Sequence, residues 1–377
     1  MRIVTVLTSL GVGGAEKQAL AVAERMARRG HEVALVALMP RLAAEWPATL
    51  PVVHLDIGKD PVSVMAGCLR ARRFLRTFRP DVVHSHSFHA NLLARLLRIG
   101  LPRLAVISTV HNVYEGGWLR MTAYRLTDRL SERTIAVSKA AAERFVGLKA
   151  IPRRKCLVRA NGIDTVEFAP DAARRAEVRA AMQAGSGFVW LSAGRVTPAK
   201  DFPNLLRAFA RTRREEPDAE LWIAGAAADA TVTVAADGVA HHVFGIAGEQ
   251  GLQEHVRWLG LRRDMPALLD AADGFVLGSV WEGMPLVVGE AMAMEKPLVA
   301  TDVGGVRELT GDADGIVPAK DPRALAGAML AAMRRSREER AIAGRAARER
   351  MVRDFSIDAA ADWWEALYKQ LAVNSKQ

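Results

Sequence analysis

The sequence has little cysteine. Of 377 residues only Cys68 and Cys156 are of that type, in unlike contexts and with no paired spacing. That argues against a disulfide framework or a thiolate zinc site and fits a reducing compartment. No stretch approaches the roughly 18 uninterrupted apolar residues that a membrane-spanning helix needs. The opening Met1-Arg2-Ile3-Val4-Thr5-Val6-Leu7 reads as a short buried strand with no small-residue cleavage site after it. Neither export nor anchoring by a span is expected, and a cytoplasmic location is. Low-complexity tracts and short-period repeats are also absent. With 50% hydrophobic and 25% charged residues, disorder and fibrous architecture are excluded, and there is enough apolar material for two cores of ordinary size.

Acidic residues are scarce in the first half. Residues 1–170 carry 26 Lys+Arg against 13 Asp+Glu, while 171–377 carry 26 against 29. The overall charge of +10 therefore divides into +13 and −3. Such asymmetry predicts that the N-terminal half faces something anionic: a membrane, nucleic acid or a phosphorylated substrate.

What is present is an alternation of short apolar runs and helical patterns. Strands are predicted at Ile3–Thr8, Glu32–Leu38, Val82–His84, Val106–Thr109 and Thr134–Val137, with helices near Glu16–Arg29 and Val64–Arg79. The rhythm restarts with strand Phe188–Ala193, helix Asn204–Arg214, strands Glu220–Ala224, Val256–Leu259 and Gly274–Leu277, helix Val287–Ala293 and strand Pro297–Ala300. The fold class expected is α/β, with two doubly wound Rossmann-like domains and a junction at Phe168-Ala169-Pro170. In such folds ligands sit beyond the carboxyl ends of the strands, so polar motifs that follow strands are the informative ones.

Gly11-Val12-Gly13-Gly14-Ala15-Glu16 follows the first strand and opens a helix whose free N–H groups could approach an anion or a sugar. It is not a dinucleotide fingerprint, and a plain strand-to-helix turn fits it equally well. In Asp81–His89, His84 and His86 share one face of a strand and His89 begins the next turn. No carboxylate or thiolate follows at ligand spacing, so a polar strand end lining a cleft is favoured over a metal site. His111 again sits where a strand leaves the sheet, as a cleft residue or a satisfied structural histidine. Asp312-Ala313-Asp314 precedes Gly315 and reads as a turn, not as a metal-binding carboxylate pair.

The loop Ala193–Phe202 places Arg195 and Lys200 between a strand and a helix, a planar fork and a point charge suited to a diphosphate. The sharpest signal is Trp281–Ala293, with Glu282 before a helix that starts at Leu286 and Glu290 one turn inside it. Backbone N–H groups at that helix N-terminus can cradle a phosphate while the two carboxylates accept from sugar hydroxyls. Paired acid and base work, as in glycoside hydrolysis, is the weaker alternative beside so many anion-binding groups.

Taken in order, Gly-Gly-Ala-Glu near the start, His111, Asn161-Gly162-Ile163-Asp164, the Arg195/Lys200 loop, Glu282-x7-Glu290 and Thr301-Asp302-Val303-Gly304-Gly305 resemble the family 4 retaining glycosyltransferases of GT-B fold. The resemblance runs over nearly the whole chain. It implies sugar transfer from a nucleotide sugar with retention at the anomeric carbon, with no metal or other cofactor. It implies that Arg195 and Lys200 hold the donor diphosphate, Glu290 the ribose and Glu282 the transferred sugar. The backbone of Gly283, Met284, Pro285 and Leu286 would meet phosphates and hexose, with Gly14 and His111 contributing from the N-terminal side and His111 near the reacting centre. His111, Glu282 and Lys200 are thus the implied catalytic set. A last helix returning to the first domain is also implied and suits Trp363, Trp364, Leu367 and Tyr368, giving domains of 1–168 with 355–377, and 169–354.

One segment departs from the family. Ala226–His242 is rich in Ala, Val and Thr with little helical periodicity where the family has a Gly-Pro turn and an amphipathic helix, so the base is not carried over. That departure keeps a non-catalytic scaffold of a glycan-assembly complex open as an alternative, and a nucleotide-sugar epimerase shares the architecture. Leu69–Arg79 and Gly117–Arg129 mix arginine with aromatic and aliphatic residues at helical spacing, which suits an anionic membrane surface. Nucleic acid is not expected, since no recognition motif or stacking platform appears. With segments 83–94 and 108–117 similar to bacterial surface-polysaccharide members, the expected acceptor is a polyprenyl-diphosphate-linked glycan, met peripherally at the inner face of the cytoplasmic membrane, and UDP-sugars are the favoured donors.

Overall fold

The structure, a computed structural model, describes residues 1–42, 49–225 and 237–374. The chain divides into two compact units, Met1–Gly162 with Ile357–Gln377, and Ile163–Ser356.

The first unit runs β1 (Arg2–Leu7), α1 (Gly14–Arg28), β2 (Glu32–Ala37), β3 (Val52–His54), α2 (Pro61–Phe78), β4 (Val82–His86), α3 (Phe88–Leu97), β5 (Ala105–Val110), α4 (Trp118–Thr127), β6 (Arg133–Ala136), α5 (Lys139–Gly147) and β7 (Cys156–Val158). Its seven strands are all parallel in the order β3-β2-β1-β4-β5-β6-β7. Strands buried on both faces explain the near-continuous apolar runs: five of the six β1 residues are buried, and all of β5.

The second unit runs α6 (Ala172–Ala181), β8 (Val189–Ala193), α7 (Phe202–Glu215), β9 (Glu220–Ala224), α8 (Asp237–Glu249), β10 (Val256–Gly260), α9 (Met265–Ala271), β11 (Gly274–Leu277), α10 (Leu286–Ala293), β12 (Leu298–Thr301), α11 (Val306–Thr310), β13 (Ile316–Val317), α12 (Pro322–Arg334) and α13 (Arg337–Asp354). The order β10-β9-β8-β11-β12-β13 repeats the crossover scheme of the first sheet. In both, strand order reverses beside the first strand, at β1/β4 and at β8/β11, so the loops after those strands open at the topological switch point where such sheets take ligands.

The final helix, α14 (Ile357–Asn374), belongs to the first unit. Ile357, Ala360, Trp364, Leu367 and Tyr368 join the core built on β1, β2 and α1, and Arg25 pairs with Asp358 at 2.8 Å and Arg29 with Glu365 at 2.9 Å. The expected return of this helix is therefore present. The junction lies earlier than Phe168-Ala169-Pro170. Ile163 donates its N–H to Phe355 O at 2.7 Å and pairs with Ser356. Phe168 is buried, and its carbonyl accepts from Arg348 at 2.7 Å. Residues 163–168 are thus fastened to the second unit, which a composition break at Pro170 does not reveal.

Of the strip 226–242, residues 226–236 lie outside the described residues, whereas α8 already begins at Asp237. His89 lies inside α3 and not in a turn, because Ser87 takes φ +71° and turns the chain straight from β4 into the helix. Asp312–Gly315 forms a turn whose Asp314 pairs with Arg335, and among the described residues no His, Cys, Asp or Glu cluster could hold a metal ion. Nor is any described helix long and apolar enough to cross a membrane.

Candidate active site

The polar motifs of the second unit fall on three loops. After β8 the chain turns through Pro198–Lys200 and enters α7 at Asp201, whose carboxylate caps Asn204 N–H. After β11 come Ser279 and Glu282, and after β12 the pair Gly304-Gly305. Backbone and side-chain bonds tie the loops together. Val280 N–H donates to Ala199 O at 2.8 Å, and Gly305 N–H to Gly283 O at 2.7 Å. The Thr301 hydroxyl donates to Ser279 O at 2.6 Å.

Lys200 and Glu282, from different loops, meet at the centre of this arrangement. Lys200 Nζ lies 2.7 Å from Glu282 Oε1, and the Ser279 hydroxyl donates to the same oxygen at 2.7 Å. Their side chains are 19% and 12% exposed, enough for a ligand to reach them and too little for water to screen the charge fully. The pair is closer than the sequence reading required, which gave the two groups separate duties. Arg195 stands apart: it is exposed, and its guanidinium has no partner among the described residues.

Gly283, Met284, Pro285 and Leu286 are all buried. Pro285 precedes α10 without any side-chain cap, and its carbonyl takes Val288 N–H at 3.2 Å, which leaves the Leu286 and Val287 N–H groups of the first turn. Glu290 sits one turn in, as expected, and is buried at 3% exposure.

In the first unit, α1 opens at Gly13 without a side-chain cap, Gly14 is its exposed first residue, and the Glu16 carboxylate folds back over Gly13. His111 is half-buried just beyond β5. Its Nε2 lies 2.9 Å from Nδ1 of the buried His86, and its N–H donates to Glu115 Oε1 at 3.0 Å. Burial lowers His111 to about 4 and His86 well below the usual histidine range, so both are neutral at pH 7. His84 does not line an opening. It is enclosed between Tyr368 Oη (2.6 Å), Thr109 Oγ1 (2.7 Å) and the Trp364 ring, and burial lowers it to about 3.

Glu115 was not singled out in the sequence, although His111-x3-Glu115 ahead of Gly116-Gly117 is a readable signal. Its second oxygen accepts from Tyr124 Oη at 2.7 Å, and Tyr124 Oη accepts from Asn91 at 3.0 Å. Removal from water pushes its carboxyl up to about 7, against the lowering effect of these hydrogen bonds.

These shifts carry signs that can be checked. The native state keeps three histidines neutral that the unfolded chain protonates below about pH 6.5, so stability is lost as pH falls below that value. Glu115 acts oppositely: the native state holds a proton that the unfolded chain has released, which costs stability as pH rises from about 4.5 towards 7. With three groups against one, denaturant midpoints are expected to be lower at pH 5 than at pH 7.5. Glu115→Gln should steepen that acid loss; a profile unchanged by the substitution would refute the assignment.

Two parallel doubly wound units, each with its polar loops at the switch point, define the GT-B fold, and solved structures agree. The Anabaena HepE protein, crystallised with UDP and glucose, superposes with a TM-score of 0.84 at 17% identity, covering 98% of this chain and 100% of that one. The family profile described as Glycosyltransferase Family 4 matches residues 12–167, and that described as Glycosyl transferases group 1 matches 187–335. The chain belongs to the family 4 glycosyltransferases of GT-B fold. Among curated relatives, an Escherichia coli UDP-Gal:α-D-GlcNAc-diphosphoundecaprenol α-1,3-galactosyltransferase is 27% identical over 64% of this chain, and the match spans 62% of that enzyme's length. A Salinispora tropica D-inositol 3-phosphate glycosyltransferase is 27% identical over 92% of this chain and 78% of its own.

Proposed function

We propose that the protein is a retaining glycosyltransferase that moves a hexose or N-acetylhexosamine from a nucleotide sugar, a UDP-sugar first, to a polyprenyl-diphosphate-linked glycan or similar surface-glycan precursor. The observation that carries the reading is the Lys200–Glu282 pair beside the uncapped N-terminus of α10. A cation and a set of free N–H groups suit a departing diphosphate, and a carboxylate suits sugar hydroxyls. In this reading Lys200, Arg195 and the helix N-terminus take up the charge that develops on the leaving group. Glu282 holds the transferred sugar and Glu290 the ribose. No protein nucleophile is assigned: the acceptor hydroxyl attacks on the face the diphosphate leaves, and the departing phosphate takes its proton. No metal is invoked. The E. coli relative, which acts on a diphosphoundecaprenol-linked sugar, supports the acceptor class.

The first unit supplies the surface for docking to the inner face of the cytoplasmic membrane. On α2, Val62, Met65 and Leu69 are 78%, 63% and 60% exposed and lead into the exposed Arg73 and Arg76. On α4, Trp118, Leu119 and Leu126 are 75%, 66% and 75% exposed beside Arg125. Neither helix contains an acidic residue. Co-sedimentation with vesicles rich in anionic phospholipid is expected, weakened by Trp118→Ala/Leu126→Ala; no binding, or binding indifferent to the substitutions, would remove this surface from the proposal.

The donor assignment is tested by thermal unfolding against UDP-, GDP- and ADP-sugars. Ligand at about 100 times its Kd adds about 2.7 kcal/mol, a resolvable shift of the midpoint. A base-selective shift lost in Arg195→Ala/Lys200→Ala is expected. No shift with any nucleotide sugar would overturn the donor site.

A further inference from the structure

The loop that follows β5 is held by a chain of hydrogen bonds whose directions are fixed at each step. Asn91, fully buried on α3, meets Thr109 O at 2.9 Å and Tyr124 Oη at 3.0 Å through one side-chain atom, and accepts the Ser85 hydroxyl at 2.8 Å through the other. A backbone carbonyl can only accept, so the atom facing Thr109 O is the amide nitrogen. That nitrogen can only donate, so Tyr124 Oη accepts from it and turns its own hydrogen to Glu115 Oε2, 2.7 Å away. Glu115 Oε1 meets the His111 backbone N–H at 3.0 Å, and that group too can only donate. Both carboxyl oxygens of Glu115 are therefore required as acceptors.

Only the ionised carboxylate meets that requirement. A proton on Oε1 would face the His111 N–H. A proton on Oε2 would face the Tyr124 hydroxyl, which would have to swing its hydrogen away from the one acceptor it has among the described residues. Burial works against ionisation and pushes the carboxyl up to about 7. The groups that face it are the Tyr124 hydroxyl and the Arg120 guanidinium from α4, the Arg95 guanidinium from α3 and the His111 N–H at the end of β5, and each of them favours the anion. The rings of His111 and His86 stay uncharged near neutral pH and add no titration of their own. Arg120 donates to Glu115 O at 3.0 Å and anchors the far end of the loop, whereas the backbone at the near end is held by the carboxylate.

We propose that Glu115 is a positioning residue: its ionised carboxylate, oriented by Tyr124 and through it by Asn91, takes the His111 N–H and fixes where His111 leaves the sheet, and protonation of Glu115 releases that hold and slows transfer. The part of this that concerns the reaction rests on the reading above in which His111 lies near the reacting centre. The part that concerns the loop does not.

The test separates the two. In protein labelled with ¹⁵N-histidine, the backbone N–H signal of His111 is assigned by its loss in His111→Gln. In the wild type that signal is expected to titrate near neutral pH, and kcat to fall about tenfold between about pH 8 and about pH 6 with little change in donor KM. In Glu115→Gln, whose amide cannot offer two acceptors and cannot ionise, the signal should stay level over that range. Its kcat should be lower by about tenfold to 100-fold and no longer fall with acid. Tyr124→Phe keeps the carboxyl but removes a hydrogen bond that favours the anion, so both the signal and the fall in kcat should move to higher pH. Unfolding curves establish that each variant is folded. A His111 signal that does not titrate in the wild type, or a fall in kcat that persists in Glu115→Gln or stays in place in Tyr124→Phe, overturns the proposal. A signal that titrates while kcat stays level overturns the positioning role. If the wild type transfers no sugar at all, the transferase reading fails and the His111 signal still decides whether Glu115 holds the loop.

Discussion

Lys200→Ala is expected to lower the rate of sugar transfer by about 10²- to 10³-fold, the usual loss when a group aimed at developing charge is removed from a partly dry site. The fold should survive with a lowered unfolding midpoint. Lys200 contributes one ion pair at 2.7 Å that is largely shielded from water, and its partner Glu282 keeps the Ser279 hydroxyl when the lysine is gone. Leaving that carboxylate without its cation is expected to cost about 1–3 kcal/mol of stability. The loss should fall mainly on kcat, because the diphosphate is more negative at its free end when departing than when esterified. Lys200→Arg should recover only part of the activity. The lysine stem lies across Gly194, where even a Cβ would come within 2.6 Å of Lys200 Cε, so the broader guanidinium has little room. Steady-state kinetics with the donor identified by thermal shift, alongside unfolding curves, checks both halves. Near wild-type turnover in Lys200→Ala would remove this residue from the donor site.

How far such a site can be read from sequence depends on how local its signals are. The β8 loop, Glu282 and the start of α10 were legible because each is fixed by residues a few positions away: an apolar strand before, Gly and Pro in the loop, a helix after. The parallel sheets were legible for the same reason, through buried runs such as Ala105–Val110. What was not legible is long-range. Nothing near Lys200 in sequence says that its charge is already paired with a carboxylate 82 positions on. His84 read as the polar end of a strand, yet its partner Tyr368 is 284 residues away and encloses it. The same holds for the junction, where Ile163 is fastened by Phe355 O. Short strands such as Val52–His54 and Ile316–Val317 carry too few residues for periodicity to show.

Buried polar networks escape for a further physical reason. Arg95 is fully buried and donates to Ser108, Thr134 and the Tyr124 carbonyl, and burial lowers its pKa. On a helical pattern it looks like one more solvated arginine of the basic half. Burying a guanidinium is tolerable only when each donor finds an acceptor, and those acceptors come from β5, β6 and α4. The same elements carry Thr109, Tyr124 and Asn91's partners, so the chain that holds Glu115 and His111 is assembled by the sheet and not by any one segment.

The second large effect is expected at Gly304, from the Thr301–Gly305 motif that the sequence resemblance quoted without giving it a duty. Its φ is +53°, the left-handed region, which costs a residue with a Cβ about 1–2 kcal/mol. A Cβ there would also stand 2.2 Å from Glu282 O and 2.9 Å from Gly283 O. Those atoms cannot simply step aside: Gly283 O is bonded to Gly305 N–H at 2.7 Å, and the Glu282 side chain is held by Lys200 and Ser279. Gly304→Ala must therefore push the Glu282–Pro285 loop outward, moving the carboxylate and the N-terminus of α10 together. A displacement of about 1 Å costs on the order of 10²-fold in turnover, and stability should fall by about 2–3 kcal/mol from backbone strain and crowding together. Gly327→Ala is the contrasting case. Gly327 is exposed within α12, a Cβ there meets nothing within 4 Å, and a helical alanine should raise stability by about 0.5–1 kcal/mol with turnover unchanged. If Gly304→Ala keeps full turnover and its melting point, the β12 loop does not set the position of Glu282, and the three-loop construction of the donor site is wrong.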